Sequence, residues 1–245
     1  MALNPKERFG DRVADYIRAR PSYPPAALDQ LASWGLLPSD AHIADIGAGT
    51  GIFTRLLLER GVRVTAVEPN GPMRAAIGDH DSLTVLDGDS GSTGLHDNSV
   101  TAITAAQAFH WFDLQATGPE FRRILKPGGK VCLLWNDREA GTAFNADYEQ
   151  FLDRWGTDYL DVQFRNGPNE LRDFFESTEW VSFPNEQWLD LEGLQARICS
   201  CSYIPEVGHP NREPMIAALP ELFEAHAQDG EIVLSYRTTV ILGTL

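Results

Sequence analysis

At 245 residues, 43% of them hydrophobic, the chain is long enough to bury a substantial core, as one large α/β domain or a core with an attached cap. A net charge of -15, with 20 basic residues scattered among 35 acidic ones, argues against nucleic-acid phosphate as a partner. The three cysteines, Cys132, Cys199 and Cys201, are too few for a disulfide framework and point to a reducing cytoplasm, while Met1 to Asp11 shows no signal-peptide pattern and no apolar run is long enough to span a membrane.

In chain order, the opening 40 residues carry no strand signal. Phe9, Val13, Tyr16 and Ile17 fall on one helical face, and Arg20-Pro21-Ser22-Tyr23-Pro24-Pro25 breaks that helix before a second over Ala26–Trp34. Tyr16, Arg20 and Tyr23 are the residues here able to face a ligand. Ile43-Ala44-Asp45-Ile46 then reads as a buried strand running into Gly47-Ala48-Gly49-Thr50-Gly51, after which Ile52, Phe53, Leu56 and Leu57 recur at helical spacing. The unit is strand, tight glycine turn and helix. Glycines let the backbone take positive φ and approach a ligand closely, and the helix start offers unpaired N–H groups.

The spacing narrows the ligand. A dinucleotide fingerprint needs G-x-G-x-x-G, whereas here the third glycine comes one position early and Ile52 stands where it belongs. Asp45 at the strand's end would repel a pyrophosphate and suit an ammonium. A ligand with an amino group, a ribose and no phosphate fits, and S-adenosylmethionine is one; the competing readings are a plain glycine turn or a nucleotide site.

Further along, Gly61 is a plausible C-cap for the helix that runs to about Arg60. Val62 to Val67 is a strand ending at Glu68, where a carboxylate can accept both hydroxyls of a ribose or cap the helix Met73–Ile77. Leu83 to Leu86 is a third strand, followed by Asp89, or alternatively Asp87, as an acceptor for an adenine amino group. Val100 to Ala105 leads into Gln107-Ala108-Phe109-His110-Trp111-Phe112-Asp113, aromatics and a histidine at a strand's C-terminal end, where ligand sites lie. A helix over Leu114–Leu125, the turn Lys126-Pro127-Gly128-Gly129 and a strand Lys130–Trp135 complete the alternation that means a parallel sheet with helices on both faces. Beyond it come a helix Phe144–Trp155, a strand Trp180–Trp188, helices Leu191–Ile198 and Met215–Ala227, and a last, antiparallel strand Glu231–Leu242. The roughly 40 residues between the last two strands are too long for a hairpin and read as a cap.

These motifs resemble the class I S-adenosylmethionine-dependent methyltransferases, and more narrowly the small-molecule group that includes the trans-aconitate methyltransferase-like enzymes. The match runs through Asp45 to Gly51, Glu68, Gln107 to Asp113, Leu125 to Gly129, Trp135-Asn136, the opening Tyr16, Arg20, Pro21, Tyr23 and Pro24, and the late Ser200 to Tyr203. One departure is Gly91, where that group carries a glutamate. The resemblance implies a Rossmann-like sheet of seven strands, six parallel with the last antiparallel. It also implies one structural domain divided into N-terminal helices over the site (1–40), a cofactor-binding core (41–140) and a remainder (141–245) whose cap spans about 187–230. It implies S-adenosylmethionine held by Tyr16, Arg20, Asp45, Gly47, Ala48, Gly49, Gly51, Glu68, Pro69, Met73, Asp89, Ser90, Gln107 and Ala108. The acceptor, a small molecule, would meet Tyr23, His110, Trp111, Trp135, Asn136 and Tyr203.

Methyl transfer from a sulfonium is an in-line displacement, so positioning and water exclusion are the main tasks. His110 is the candidate general base or orienting donor, against a purely structural histidine. Arg20 and Arg138 suit a carboxylate acceptor, while the aromatic residues suit a hydrophobic one. Cys199 and Cys201 read as cap packing, with no metal expected. A cofactor-binding scaffold without transfer and a nicotinamide oxidoreductase are the alternatives.

Overall fold

The structure, a computed structural model, describes residues 19–157, 171, 173–201 and 203–245. The expected helix around Phe9 to Ile17, and Tyr16 with it, lies outside the described residues. Seven strands form one sheet: β1 (His42–Ile46), β2 (Arg63–Val67), β3 (Leu83–Leu86), β4 (Val100–Ala106), β5 (Leu125–Arg138), β6 (Ser177–Leu189) and β7 (Ile232–Thr244), in the spatial order β3-β2-β1-β4-β5-β7-β6. The pairings among β1 to β5 are parallel, and β7 runs antiparallel to both its neighbours. Among the described residues the α-helices are α1 (Pro25–Ser33), α2 (Ile52–Glu59), α3 (Gly71–Ala75), α4 (Leu114–Ile124), α5 (Ala143–Trp155), α6 (Leu191–Cys199) and α7 (Arg212–Glu224).

Burial on both faces explains why the central strands read as unbroken apolar runs. On one face Phe53 and Leu57 of α2 pack with Leu28 and Leu31 of α1 over Ile43, Val64 and Leu134. On the other, Phe121 and Ile124 of α4 cover Ile46, Ile103 and Leu133. The segment between β6 and β7 has a core of its own, in which Leu194, Ile198, Met215 and Leu219 pack on Tyr148 and Leu152 of α5 and on Tyr236 of β7.

The expected turn at Lys126 to Gly129 is instead a bulge inside β5. The ladder pairs Val100 with Leu125 and then Ala102 with Lys130, so the intervening residues loop out. A Cβ on Gly129 would lie 2.8 Å from Leu125 Cδ2 and 3.0 Å from the Thr101 carbonyl, so only glycine fits the return into the ladder.

The order of the strands also locates the cleft. From β1 the chain steps one way to β2 and later the other way to β4, which opens a crevice outside the carboxyl ends of β1 and β4. No described helix is long and apolar enough to cross a membrane.

Candidate functional site

At the end of β1 the chain turns through Gly47, Gly49 and Gly51, with φ of 69°, 58° and 79°. The Gly47 and Ala48 N–H groups donate to the Val67 carbonyl at 2.9 and 3.2 Å, which fastens the turn to the tip of β2. A Cβ on Gly47 would sit 2.6 Å from Ala108 Cβ, so the first glycine is needed for space as well as for conformation. Asp45 is 1% exposed and lines the cleft. It accepts from the Thr54 hydroxyl at 2.6 Å and the Thr104 hydroxyl at 2.9 Å. Burial raises its carboxyl to about 6 against the pull of those two bonds, so the charged form lacks compensation. Thr50 also lines the cleft, and its buried Oγ1 has no hydrogen-bond partner.

Glu68 is buried and braces the turn: Oε2 accepts from the Gly49 N–H at 2.8 Å and Oε1 from the Asn70 N–H at 2.9 Å. Desolvation raises its carboxyl, opposed by those two bonds. Of its neighbours, Pro69 follows the strand tip, and Met73 is buried on α3, its N–H capped by the Asn70 side chain at 3.0 Å. The two candidate adenine acceptors are held locally. Asp87 pairs with Arg74 at 3.0 Å, and Asp89 accepts from the Gly91 and Ser92 N–H groups, both at 3.1 Å. Ser90 is buried and accepts from the Thr117 hydroxyl at 2.8 Å. A Cβ on Gly91 would lie 2.7 Å from Ala116 Cβ, which accounts for glycine where the related group has glutamate.

The N-terminal segment supplies one wall. Ser22 O accepts from Asn136 Nδ2 at 3.1 Å and Asn185 Nδ2 at 2.8 Å, and Ala19 O from Gln187 Nε2 at 2.8 Å, so β5 and β6 hold it in place. Arg20 donates to the Ser200 carbonyl at the end of α6 at 2.9 Å. Tyr23 packs edge-on against Phe53 with ring centroids 5.1 Å apart. Opposite stands Gln107, a non-glycine residue at φ 54°, whose side chain donates to the Asn136 carbonyl at 3.0 Å. Such a conformation at a strand's end is a mark of functional sites.

Arg20, Tyr23, Asp45, Gly47, Ala48 and Gly49 thus share one open cleft with Gln107 and Asn136. Gly51, Glu68 and Ala108 support its floor from behind. Pro69, Met73, Asp89, Ser90, His110, Trp111, Trp135 and Tyr203 are not among its lining residues.

The aromatic segment divides. Phe109 is fully buried and packs against Phe112, Phe174 and Trp135, with centroids 5.6, 5.1 and 6.4 Å away. Trp135 therefore belongs to the core on the α4 face, while its neighbour Asn136 reaches the cleft. Strand alternation forbids both from walling the same pocket. His110 and Trp111 are half-buried on a single 3₁₀ turn (Phe109–Trp111), their rings 5.1 Å apart.

The fold and the cleft agree with the comparisons. A methyltransferase-domain profile matches residues 44–133. An uncharacterized methyltransferase of Mycobacterium tuberculosis is 41% identical over 245 residues, covering 97% of this chain and 95% of that protein. The chain belongs to the class I S-adenosylmethionine-dependent methyltransferases. A methyltransferase-like protein of Schizosaccharomyces pombe is 30% identical over 219 residues, covering 87% of this chain and 85% of its own. Among solved structures, a putative type II methyltransferase from Anaeromyxobacter dehalogenans superposes with a TM-score of 0.70 at 22% identity, over 92% of this chain and 97% of that one. A phosphoethanolamine N-methyltransferase of Haemonchus contortus, bound to phosphomonomethylethanolamine and S-adenosylhomocysteine, gives a TM-score of 0.58 at 14% identity, over 99% of this chain and 60% of that one. Likeness at these two identities speaks to the fold alone.

In this methyltransferase the cap contributes a residue that sequence reasoning missed. Arg197 of α6 is 3% exposed and lines the cleft. Its Nε donates to the Tyr236 hydroxyl at 3.0 Å and its Nη1 to Cys201 Sγ at 3.0 Å. Around it stand Tyr203, whose hydroxyl accepts from Arg138 at 3.4 Å, and Tyr148, with the Arg138 guanidinium 5.5 Å from its ring centre. Burial opposes ionisation of Cys201, but Arg197, Arg20, the bond to Tyr203 and Arg138 outweigh it and draw the thiol down to about 7. A signal was present: Leu194, Arg197 and Ile198 share one face of α6, and an arginine on an apolar face needs a reason. Among the described residues there is no group of three or more His, Cys, Asp or Glu able to hold a metal.

Proposed function

We propose that this methyltransferase takes its methyl group from S-adenosylmethionine and passes it to a small-molecule acceptor. One observation carries the reading: a buried carboxylate lacking compensation, Asp45, opens onto a glycine turn with no room for a side chain and beside an orphaned Thr50 hydroxyl. Asp45 would hold the ammonium of the cofactor's amino-acid end, Gly47, Ala48 and Gly49 its underside, and Glu68 the ribose hydroxyls. The other contacts proposed for the cofactor are Tyr16, Arg20, Gly51, Pro69, Met73, Asp89, Ser90, Gln107 and Ala108. When bound, this cofactor supplies a methyl group on a sulfonium, open to in-line displacement by the acceptor's nucleophilic atom.

The chain's own part is to orient the acceptor and exclude water. Tyr23 and Asn136 line the cleft and are proposed to seat the acceptor, together with Trp111 and Tyr203 on its approach. His110, just past cleft-lining Gln107, is proposed to accept a proton from a protic acceptor or to orient it. The enzyme is proposed to work in the cytoplasm.

Thermal unfolding tests the cofactor. S-adenosylhomocysteine at about 100 times its Kd is expected to stabilise the protein by about 2.7 kcal/mol, with NADH giving nothing; the reverse would overturn the reading. Labelled methyl donor offered with polycarboxylates, phenols and amines tests transfer, and no product over the whole panel would leave a cofactor-binding scaffold. His110→Gln is expected to lower kcat by roughly 100-fold or more on an acceptor that must lose a proton. Unchanged turnover there removes His110 from the chemistry.

A further inference from the structure

The N-terminal wall of the cleft and the cap are joined by a relay of side-chain hydrogen bonds. Arg197, buried and lining the cleft, donates from Nε to the Tyr236 hydroxyl at 3.0 Å. That hydroxyl donates to Gln187 Oε1 at 3.2 Å, and Gln187 Nε2 donates to the Ala19 carbonyl at 2.8 Å. The next residue, Arg20, donates to the Ser200 carbonyl at 2.9 Å, and the Ser200 hydroxyl donates to the Arg197 carbonyl at 2.7 Å. The contacts therefore close into a ring through the N-terminal segment, β6, β7 and the end of α6. From Arg197 to Ala19 every donor points away from the guanidinium, the arrangement in which hydrogen bonds polarise and strengthen one another. Gln187 suits its place because an amide accepts at one end and donates at the other.

We propose that Gln187 is a positioning residue for the cleft, locking the wall that carries Arg20 and Tyr23 to Arg197 of the cap so that the two take up their ligand-holding places as one unit. Gln187 is not among the lining residues and acts through Ala19 and Tyr236. That the ligand is S-adenosylmethionine rests on the methyl-donor reading above; the relay stands on its own geometry. Asn185, two residues earlier and on the same face of β6, holds the Ser22 carbonyl at 2.8 Å. The wall is thus gripped at two points from an edge strand of the sheet, and the grip at Gln187 continues to Arg197. Small displacements of a wall that orients a ligand are costly to binding and to transfer. Cys201 reports on the relay: its buried Sγ accepts from Arg197 Nη1 at 3.0 Å and lies within electrostatic reach of Arg20. Cys132, fully buried in β5 within the sheet core, supplies the internal control.

The test combines N-ethylmaleimide labelling of the ligand-free full chain, read at each cysteine by mass spectrometry, with calorimetry of S-adenosylhomocysteine binding. Gln187→Met is expected to speed labelling of Cys201 about tenfold and to leave Cys132 unchanged. S-adenosylhomocysteine affinity is expected to fall about tenfold in Gln187→Met and about tenfold in Tyr236→Phe. In the double variant the loss is again about tenfold rather than a hundredfold, because either change cuts the same relay. Losses that add in the double variant, wild-type affinity in Gln187→Met, or Cys201 labelling at the wild-type rate overturn the proposal. A matching rise at Cys132 also overturns it, since that marks a general loss of stability. Gln187 is half-buried on an edge strand, so Gln187→Met is expected to fold; if Tyr236→Phe does not, the labelling of Gln187→Met decides. Failure of S-adenosylhomocysteine to bind the wild type counts against the methyl-donor reading, while the labelling rates still decide the relay.

Discussion

The two sides of the cleft are made of different material. On the glycine-turn side the cleft surface is largely backbone, Gly47 to Thr50 in one run, pinned by bonds from Gly47 and Ala48 to Val67 and from Gly49 to Glu68. On the cap side it is side chain: Arg20, Tyr23, Asn136 and Arg197, drawn from three places in the chain and brought together only in the folded state. A backbone cradle admits one shape and tolerates few residues. A side-chain wall can change its chemistry one residue at a time on the same frame, which is where acceptor specificity is expected to reside.

The largest effect that would break this contrast is at Gly47. At φ 69°, with a hypothetical Cβ 2.6 Å from Ala108, Gly47→Val meets both a forbidden conformation and a clash. The expected cost is about 3 kcal/mol or more in urea unfolding, together with loss of S-adenosylhomocysteine binding. Near-wild-type binding by this variant would mean the turn is not the cradle.

Asp45 sharpens the contrast by separating stability from function. Its carboxyl, 3.8 when free and about 6 in the fold because burial outweighs the bonds from Thr54 and Thr104, binds more protons folded than unfolded between those values. Its contribution to stability is therefore fully present below 3.8 and lost as pH rises through about 6. Asp45→Asn avoids that loss. The ligand-free variant is expected to be more stable than wild type by about 2–3 kcal/mol near pH 8, with the gap closing towards pH 4. S-adenosylhomocysteine affinity is expected to collapse at the same time. Urea unfolding across pH, with calorimetry at pH 8, measures both.

The same contrast explains what was legible in the sequence. Strand, glycine turn and helix are local, and the ladder of apolar runs fixes a parallel sheet, so β1 to β4 and the cleft's position followed from residue type and spacing. Asn136 and Trp135 were grouped together because they are adjacent, and strand alternation separates them. Glu68 has a legible role at a strand tip, but its bond to the Gly49 N–H depends on how β1 and β2 align. The bulge at Gly128 and Gly129 looks like an ordinary turn until Val100 and Lys130 are seen in the ladder. Arg197 reaches Tyr236 of β7 and the cleft only because the cap folds back over the sheet, a contact that no local pattern encodes.

On the cap side, Cys201 tests whether the guanidinium cluster acts as a unit. Its thiol, 9.0 when free and about 7 in the fold, loses its proton earlier folded than unfolded. That contribution is fully present above 9.0 and lost as pH falls through about 7. The stability of the wild type over Cys201→Ser is expected to grow by up to about 2 kcal/mol between those two pH values. A difference that stays flat with pH would show that the cluster does not stabilise a thiolate.

The smallest effect separates what a glycine contributes through conformation from what it contributes through space. Gly61 caps α2 at φ 80°, much as Gly47 turns at 69°, yet a Cβ there would meet nothing within 4 Å. Gly61→Ala is expected to cost only the left-handed conformation, about 1 kcal/mol or a fall of about 2–4 °C in Tm. Its S-adenosylhomocysteine affinity is expected to equal the wild type's, because its N–H bonds the Leu58 carbonyl at 2.9 Å, on the far end of the helix from the cleft. If Gly61→Ala weakens binding as Gly47→Val does, both variants act through the stability of α2, and the glycine turn loses its claim to be a surface shaped for a ligand.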